Sequence, residues 1–184
     1  NNNAVWEMPP EPDMRLAYAF IKNGTLEITN NDDKSINTTV FPLLIDYTKD
    51  FEIEFRVMLD KKYPLRPAYV LWGADTTKEE LGFNGQVLYF FSNGSYRMGY
   101  CQGACSIPCN YEKIRNTFGA LSNKNDYNIY TVRKIKNAYY VFINREFSHK
   151  YEYVPIHGEE LGFGTNRKSV ANMDYIQVSY LKLD

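Results

Sequence analysis

The stretch FEIEFRV, residues 51–57, sets Glu52 and Glu54 two apart in an apolar frame, with Arg56 two further on. Two carboxyls held about 5–5.5 Å apart are what retaining glycoside hydrolysis uses, one as nucleophile and one as acid/base. In an extended strand the side chains alternate. Glu52, Glu54 and Arg56 then share one face, and Phe51, Ile53, Phe55 and Val57 the other. A cation beside a carboxylate favours its ionised form, the wrong direction for a general acid. The simpler reading is a half-buried strand whose charges face water.

Other chemistry is thinner. The sequence contains no Gly-rich phosphate loop and no nucleophile elbow. The two histidines, His149 and His157, have no catalytic companions nearby in sequence. The three cysteines cluster in CQGACSIPC at 101, 105 and 109. Gly103 and Pro108 argue for a loop there. Three thiols lack the fourth ligand a zinc site wants, and nothing links either histidine to them. One disulfide with a thiol left over suits an exported protein, whereas three reduced thiols suit a reducing compartment. Asp75 and Asn84 flank a loop with oxygen ligands for Ca²⁺ but without the spacing of a calcium motif. No cofactor is expected. Asp174 interrupts the apolar run NMDYIQV, where hydrogen bonding is a better use for it than metal binding.

A chain of 184 residues, 44% hydrophobic and 16% aromatic, is the size of one domain with a sizeable core. Its formal charge of −1 gives no basic footprint for nucleic acid and no polybasic membrane patch. Apolar runs such as VLYFF are too short to cross a bilayer. The sequence opens NNNAVWEMPPEP without Met, as a chain trimmed of its targeting segment would.

The elements that would position these residues read as strands. RLAYAFIKNGTLEITN gives two runs joined at Asn23-Gly24, and QVLYFFSNGSYRMGYC two more joined at Asn93-Gly94. Asn-Gly between apolar runs predicts a type I′ hairpin turn. DYNIYTVRKIKNAYYVFINREFSHKYEYV continues as a meander, turning near Lys136-Asn137 and Asn144-Arg145. SVANMDYIQVSYLKL closes the chain as one long strand. Helical pattern is confined to TTKEELGF and a short segment in NYEKIRNTF. Many strands with frequent turns predict an antiparallel sandwich or barrel. A two-residue turn at 93–94 would set Phe91 opposite Tyr96, Tyr89 opposite Met98 and Val87 opposite Tyr100 on the core face. Leu88, Phe90, Ser92, Ser95, Arg97 and Gly99 would then share the other face.

In this order, IKNGTLEI, FEIEFRV, YVLWGAD, LYFFSNGSYRMGY, YNIYTVRKIKNAYYVFINREF and ELGFGTNRKSVANMDYIQVSYL resemble the laminin-G-like, concanavalin A-like jelly rolls of bacterial proteins, especially those of the Bacteroidetes. The resemblance covers nearly the whole chain. It implies an all-β, two-sheet antiparallel jelly-roll sandwich in residues 16–184, one sheet concave, after an N-terminal extension at 1–15. Where that family carries Asn-Gly after the strand matching YYVFI, this chain has Asn144-Arg145. Arg at positive φ costs about 1–2 kcal/mol, so a longer, bulged turn is expected there. Glucanases of this fold take their carboxylates from one strand, in a motif resembling E-x-D-x-E. Here Arg56 occupies the place of a further carboxylate.

The resemblance implies a non-catalytic module that binds carbohydrate, on a bacterial protein sent to the periplasm, the cell surface or the medium. In bacteria the sequons at Asn23, Asn37 and Asn93 would read as turn chemistry rather than glycosylation sites. Sugar sites combine aromatic platforms with planar hydrogen-bonding side chains. Carried across the sheet, the register would put Glu54, Arg56, Phe90, Arg97, Arg133, Tyr140 and Phe142 on the concave face. The alternatives are a glycoside hydrolase using Glu52 and Glu54, and a structural or protein-interaction module without a small ligand.

Overall fold

A computed structural model describes residues 17–22, 24–31, 37–60, 66–75, 84–101, 110–111, 115–116, 126–154 and 158–182. Fourteen strands are found among them and no helix. They are β1 (Ala17–Lys22), β2 (Thr25–Asn30), β3 (Asn37–Leu44), β4 (Phe51–Leu59), β5 (Ala68–Asp75), β6 (Asn84–Phe90), β7 (Ser95–Cys101), β8 (Asn110–Tyr111), β9 (Arg115–Asn116), β10 (Asn128–Ile135), β11 (Ala138–Ile143), β12 (Glu146–Glu152), β13 (Glu160–Thr165) and β14 (Ser169–Tyr180). Sheet A runs β1-β2-β14-β4-β10-β11-β12, and sheet B runs β3-β13-β5-β6-β7-β8, with β9 also paired to β7. All pairings are antiparallel. The expected all-β two-sheet sandwich is what forms. Where NYEKIRNTF suggested a short helical segment, its described residues are the two-residue strands β8 and β9. The helical reading of TTKEELGF, the N-terminal extension and the sequon asparagine at 23 lie outside the described residues.

The core is aromatic and closes between the sheets. From β4, Phe51, Ile53, Phe55 and Val57 are buried and alternate with half-buried Glu52, Glu54, Arg56 and Met58. Phe55 stacks on Tyr130 of β10 at 5.4 Å and meets Phe90 of β6 at 5.6 Å, and Phe90 stacks in turn on Tyr130 at 5.0 Å. Burying each such ring contributes roughly 1.5–3 kcal/mol. Two tyrosines span the sandwich. Tyr139 accepts from Trp72 Nε1 at 3.4 Å, and the Tyr96 hydroxyl is 2.7 Å from Ser148 Oγ. Burial pushes the hydroxyls of Tyr47, Tyr130 and Tyr139 well above the usual tyrosine range.

The hairpin at 91–95 corrects the expected register by one residue. Gly94 N–H donates to Phe91 O at 2.9 Å and Phe91 N–H to Ser95 O at 3.0 Å, and only Gly94 has positive φ, +85°. That is a three-residue loop, a type I turn closed by a bulged glycine, rather than a two-residue type I′ turn. Asn93 stays out of the left-handed region because its Oδ1 accepts from Ser95 N (2.9 Å) and Oγ (2.7 Å), an Asx turn. The extra residue pairs Phe90 with Tyr96, Leu88 with Met98 and Tyr89 with Arg97. Phe90 and Leu88 therefore enter the core with Tyr96 and Met98, while Val87 and Tyr89 turn to the other face of sheet B with Tyr69, Leu71 and Ala74.

The turn at Asn144-Arg145 is also corrected. It is a two-residue turn with both residues at positive φ (+50° and +72°), joining Ile143 to Glu146. Asn144 is tied to β10: its N–H donates to Ile129 O (2.7 Å), its Oδ1 accepts from Ile129 N (2.9 Å), and its Nδ2 donates to Asn128 Oδ1 (3.0 Å). These bonds hold the tight turn against the cost of a left-handed Arg145.

Candidate functional site

Five neighbouring strands of sheet A, β14, β4, β10, β11 and β12, turn one face to the core and the other outward. Register stacks the outward residues into ladders. One runs Ser179–Glu52–Arg133–Tyr140–Lys150, the next Gln177–Glu54–Thr131–Phe142–Phe147, and a shorter third Tyr175–Arg56–Ile129. Of the residues expected to share a site, Glu54, Arg56, Arg133, Tyr140 and Phe142 are brought together here. The other two are not. Phe90 is 0% exposed in the core, and Arg97 lies on sheet B, opposite Tyr89, on the face that points away from the core. The one-residue hairpin shift explains why Phe90 does not join Arg97, and strand order separates Arg97 from the sheet A residues.

Two β-bulges build this face. In β14, Asp174 is an extra residue between the Met173–Val57 and Tyr175–Arg56 pairs. Ala171 and Met173 point inward before it, and Ile176 and Val178 pack on the core after it. The phase shift turns Tyr175, Gln177 and Ser179 outward, and it lets Asp174 ion-pair with Arg56, a hydrogen-bonding role as expected. In β12, Ser148 is the extra residue between the Phe142–Phe147 and Val141–His149 pairs. It lets Phe147 and Lys150, three apart, stand on the same side. Bulges re-aim side chains in this way next to functional sites. Phe147, Lys150, Tyr175, Gln177 and Ser179 escape a reading by strict alternation. The step from Met173 to Ile176 in the apolar series 171, 173, 176, 178 is the signal that marks one of the bulges.

The polar groups of the face are engaged. Arg133 ion-pairs with Glu52, and its guanidinium lies 4.6 Å from the Phe142 ring centre. Glu54 accepts from Tyr175 Oη at 2.8 Å and from Thr131 Oγ1 at 3.4 Å. Desolvation, then the hydrogen bond to Glu54 and the charge of that carboxylate, push the Tyr175 hydroxyl up to about 12, so it remains a donor. Arg56 also lies over Tyr127 at 4.5 Å, and its bond to Asp174 raises its pKa further. At the β12 edge, Lys150 Nζ is 5.6 Å from the Tyr140 ring, and Phe147 is 57% exposed, 5.7 Å from Phe142 and 6.5 Å from Tyr140. One end of the face thus offers amide, hydroxyl and carboxylate groups, and the other a cluster of rings.

Among the described residues no three His, Cys, Asp or Glu side chains gather as a metal site would need. Of the cysteine cluster, Cys101 ends β7, and Cys105, Cys109 and His157 lie outside the described residues. The side chains of Asp75 and Asn84 lie outside them too. Among the described residues no helix is long and apolar enough to cross a membrane.

No family model matches the chain, and no curated protein matches its sequence. Solved structures do match. The carbohydrate-binding module CBM66 from Bacillus subtilis superimposes with a TM-score of 0.69 at 6% identity, covering 89% of this chain and 91% of that one. A β-glucanase from Bacillus licheniformis gives 0.64 at 10% identity, over 100% and 94%. A legume lectin-like domain from Entamoeba histolytica gives 0.64 at 12%, over 91% and 89%. The fold is therefore the jelly roll of concanavalin A-like lectins, carbohydrate-binding modules and glucanases.

Proposed function

We propose that this chain is a non-catalytic carbohydrate-binding module that holds its glycan on the outward face of β14, β4, β10, β11 and β12. It serves an exported bacterial protein of the laminin-G-like kind its sequence resembles. The observation that carries the reading is the ring cluster of half-buried Tyr140 and Phe142 and exposed Phe147, on the same face as Arg133, Glu52, Glu54 and Gln177. Rings stack on the apolar faces of sugars while planar polar groups bond their hydroxyls. The similar solved structures that are carbohydrate-binding modules and lectins support the same class.

The full-length likeness to a β-glucanase raises a hydrolase as a second reading. Glu52 is bonded to Arg133 and Glu54 to Tyr175 and Thr131, an arrangement that suits carboxylates used as fixed acceptors. The test is a glycan panel probed with the wild-type protein, each glycan also assayed for released reducing sugar. Retention without release is expected. Release that Glu52→Gln or Glu54→Gln abolishes would establish the hydrolase, and neither retention nor release would leave a structural or protein-interaction module.

A further inference from the structure

We infer that the ligand is an uncharged, linear polysaccharide lying across the strands, with one segment on Gln177 and Ser179 and another on Phe147. The inference rests on the carbohydrate reading above and adds a direction, a length and a charge. The direction comes from the ladders, which run perpendicular to the strands and change character along their length. Gln177 and Ser179 stand at the β14 end, the carboxylates of Glu52 and Glu54 follow, and the rings of Tyr140, Phe142 and Phe147 occupy the β11–β12 end.

The length comes from the sheet. Neighbouring strands lie about 4.8 Å apart, so five of them span roughly 19 Å. A disaccharide is too short to touch both ends. The two ends are also independent in their chemistry. Gln177 Nε2 is bonded to Ser179 Oγ at 3.1 Å, whereas Phe147 lies against the rings of Tyr140 and Phe142.

The charge comes from the groups on the face. The carboxylates of Glu52, Glu54, Asp174 and Glu152 stand there against the cations of Arg56, Arg133 and Lys150. Arg56 and Arg133 are neutralised in pairs, and Arg133 and Lys150 each lie against a ring. A polyanion would meet Glu52 and Glu54 in the middle of its path, with no net positive field to draw it there.

Binding is measured by affinity electrophoresis and calorimetry. The neutral probes are β-glucan, β-mannan and xylan with their oligosaccharides from two to eight units, and the anionic probes are polygalacturonate and dextran sulfate. A neutral chain is expected to bind with an affinity that changes less than about twofold between 50 and 500 mM salt, since few ions are released. Affinity should climb with length until the five strands are covered and then level off. Phe147→Ala and Gln177→Ala should each weaken the longest oligosaccharide, the former by about tenfold. A bound disaccharide should feel only one of the two substitutions. Both side chains are exposed, so neither substitution threatens folding. Preference for the anionic probes with salt-sensitive binding, or a disaccharide as tight as the octamer, overturns the inference while leaving carbohydrate binding intact. Retention of no glycan overturns both.

Discussion

Glu52 on β4 stands directly opposite Arg133 on β10, and their side chains close an ion pair on the outward face of sheet A. That pair decides how the Glu52-x-Glu54 spacing is read. The Glu52 carboxylate is bonded to a guanidinium that lies over the Phe142 ring, and in the function proposed above it serves as a fixed acceptor for sugar hydroxyls.

Glu52→Gln should therefore leave folding nearly intact. Arg133 keeps 43% of its side chain in solvent, so the ion pair is screened and is worth no more than about 1 kcal/mol. Urea unfolding at low and at 1 M salt measures this. The difference between wild type and variant should shrink as salt is added.

Phe90→Ala should cost about 3–5 kcal/mol of stability. Its ring is fully buried against Phe55, Tyr130 and Phe163. A melting temperature close to wild type would return Phe90 to an exposed face.

Much of this was legible in the sequence, and the failures share one cause. The sandwich, the alternation of FEIEFRV and the hairpin positions follow from period 2 and from Asn-Gly turns. What period 2 does not carry is a single inserted residue. The bulged glycine at 94, Asp174 and Ser148 each reverse the facing of everything beyond them. Phe90 is displaced by the first, and Gln177 and Lys150 are re-aimed by the other two. Arg97 failed for a different reason: which sheet a hairpin joins depends on strand order, and β6 and β7 pair into sheet B through β5.

Arg145→Gly should stabilise the protein by about 1 kcal/mol. Arg145 sits at φ +72°, where a Cβ is penalised and glycine is not. Asn144→Ala should do the opposite, because it removes the side-chain bonds to Ile129 and Asn128. Denaturation midpoints of the two variants should move in opposite directions.

Alkaline pH offers another check. The Tyr175 hydroxyl, ordinarily titrating at 10.0, is pushed up to about 12 in the folded protein. Above 10 the unfolded chain releases this proton first, so its contribution to stability is full below pH 10 and fades as pH rises towards 12. Buried Tyr47, Tyr130 and Tyr139 act in the same sense. In the ultraviolet difference titration of wild type against Tyr175→Phe, the phenolate midpoint assigned to Tyr175 should lie near 12. Glu54→Gln should lower it by removing both the hydrogen-bond acceptor and its charge.

The most direct measurement compares Phe147→Ala with Arg97→Ala for retention on one neutral polysaccharide, beside the wild type. The two side chains lie on different sheets, Phe147 on the outward face of sheet A and Arg97 on sheet B. Phe147→Ala is expected to lose about tenfold in affinity, while Arg97→Ala binds as the wild type does. Retention lost with Arg97→Ala and kept with Phe147→Ala would place the glycan on the other sheet and contradict the site described above.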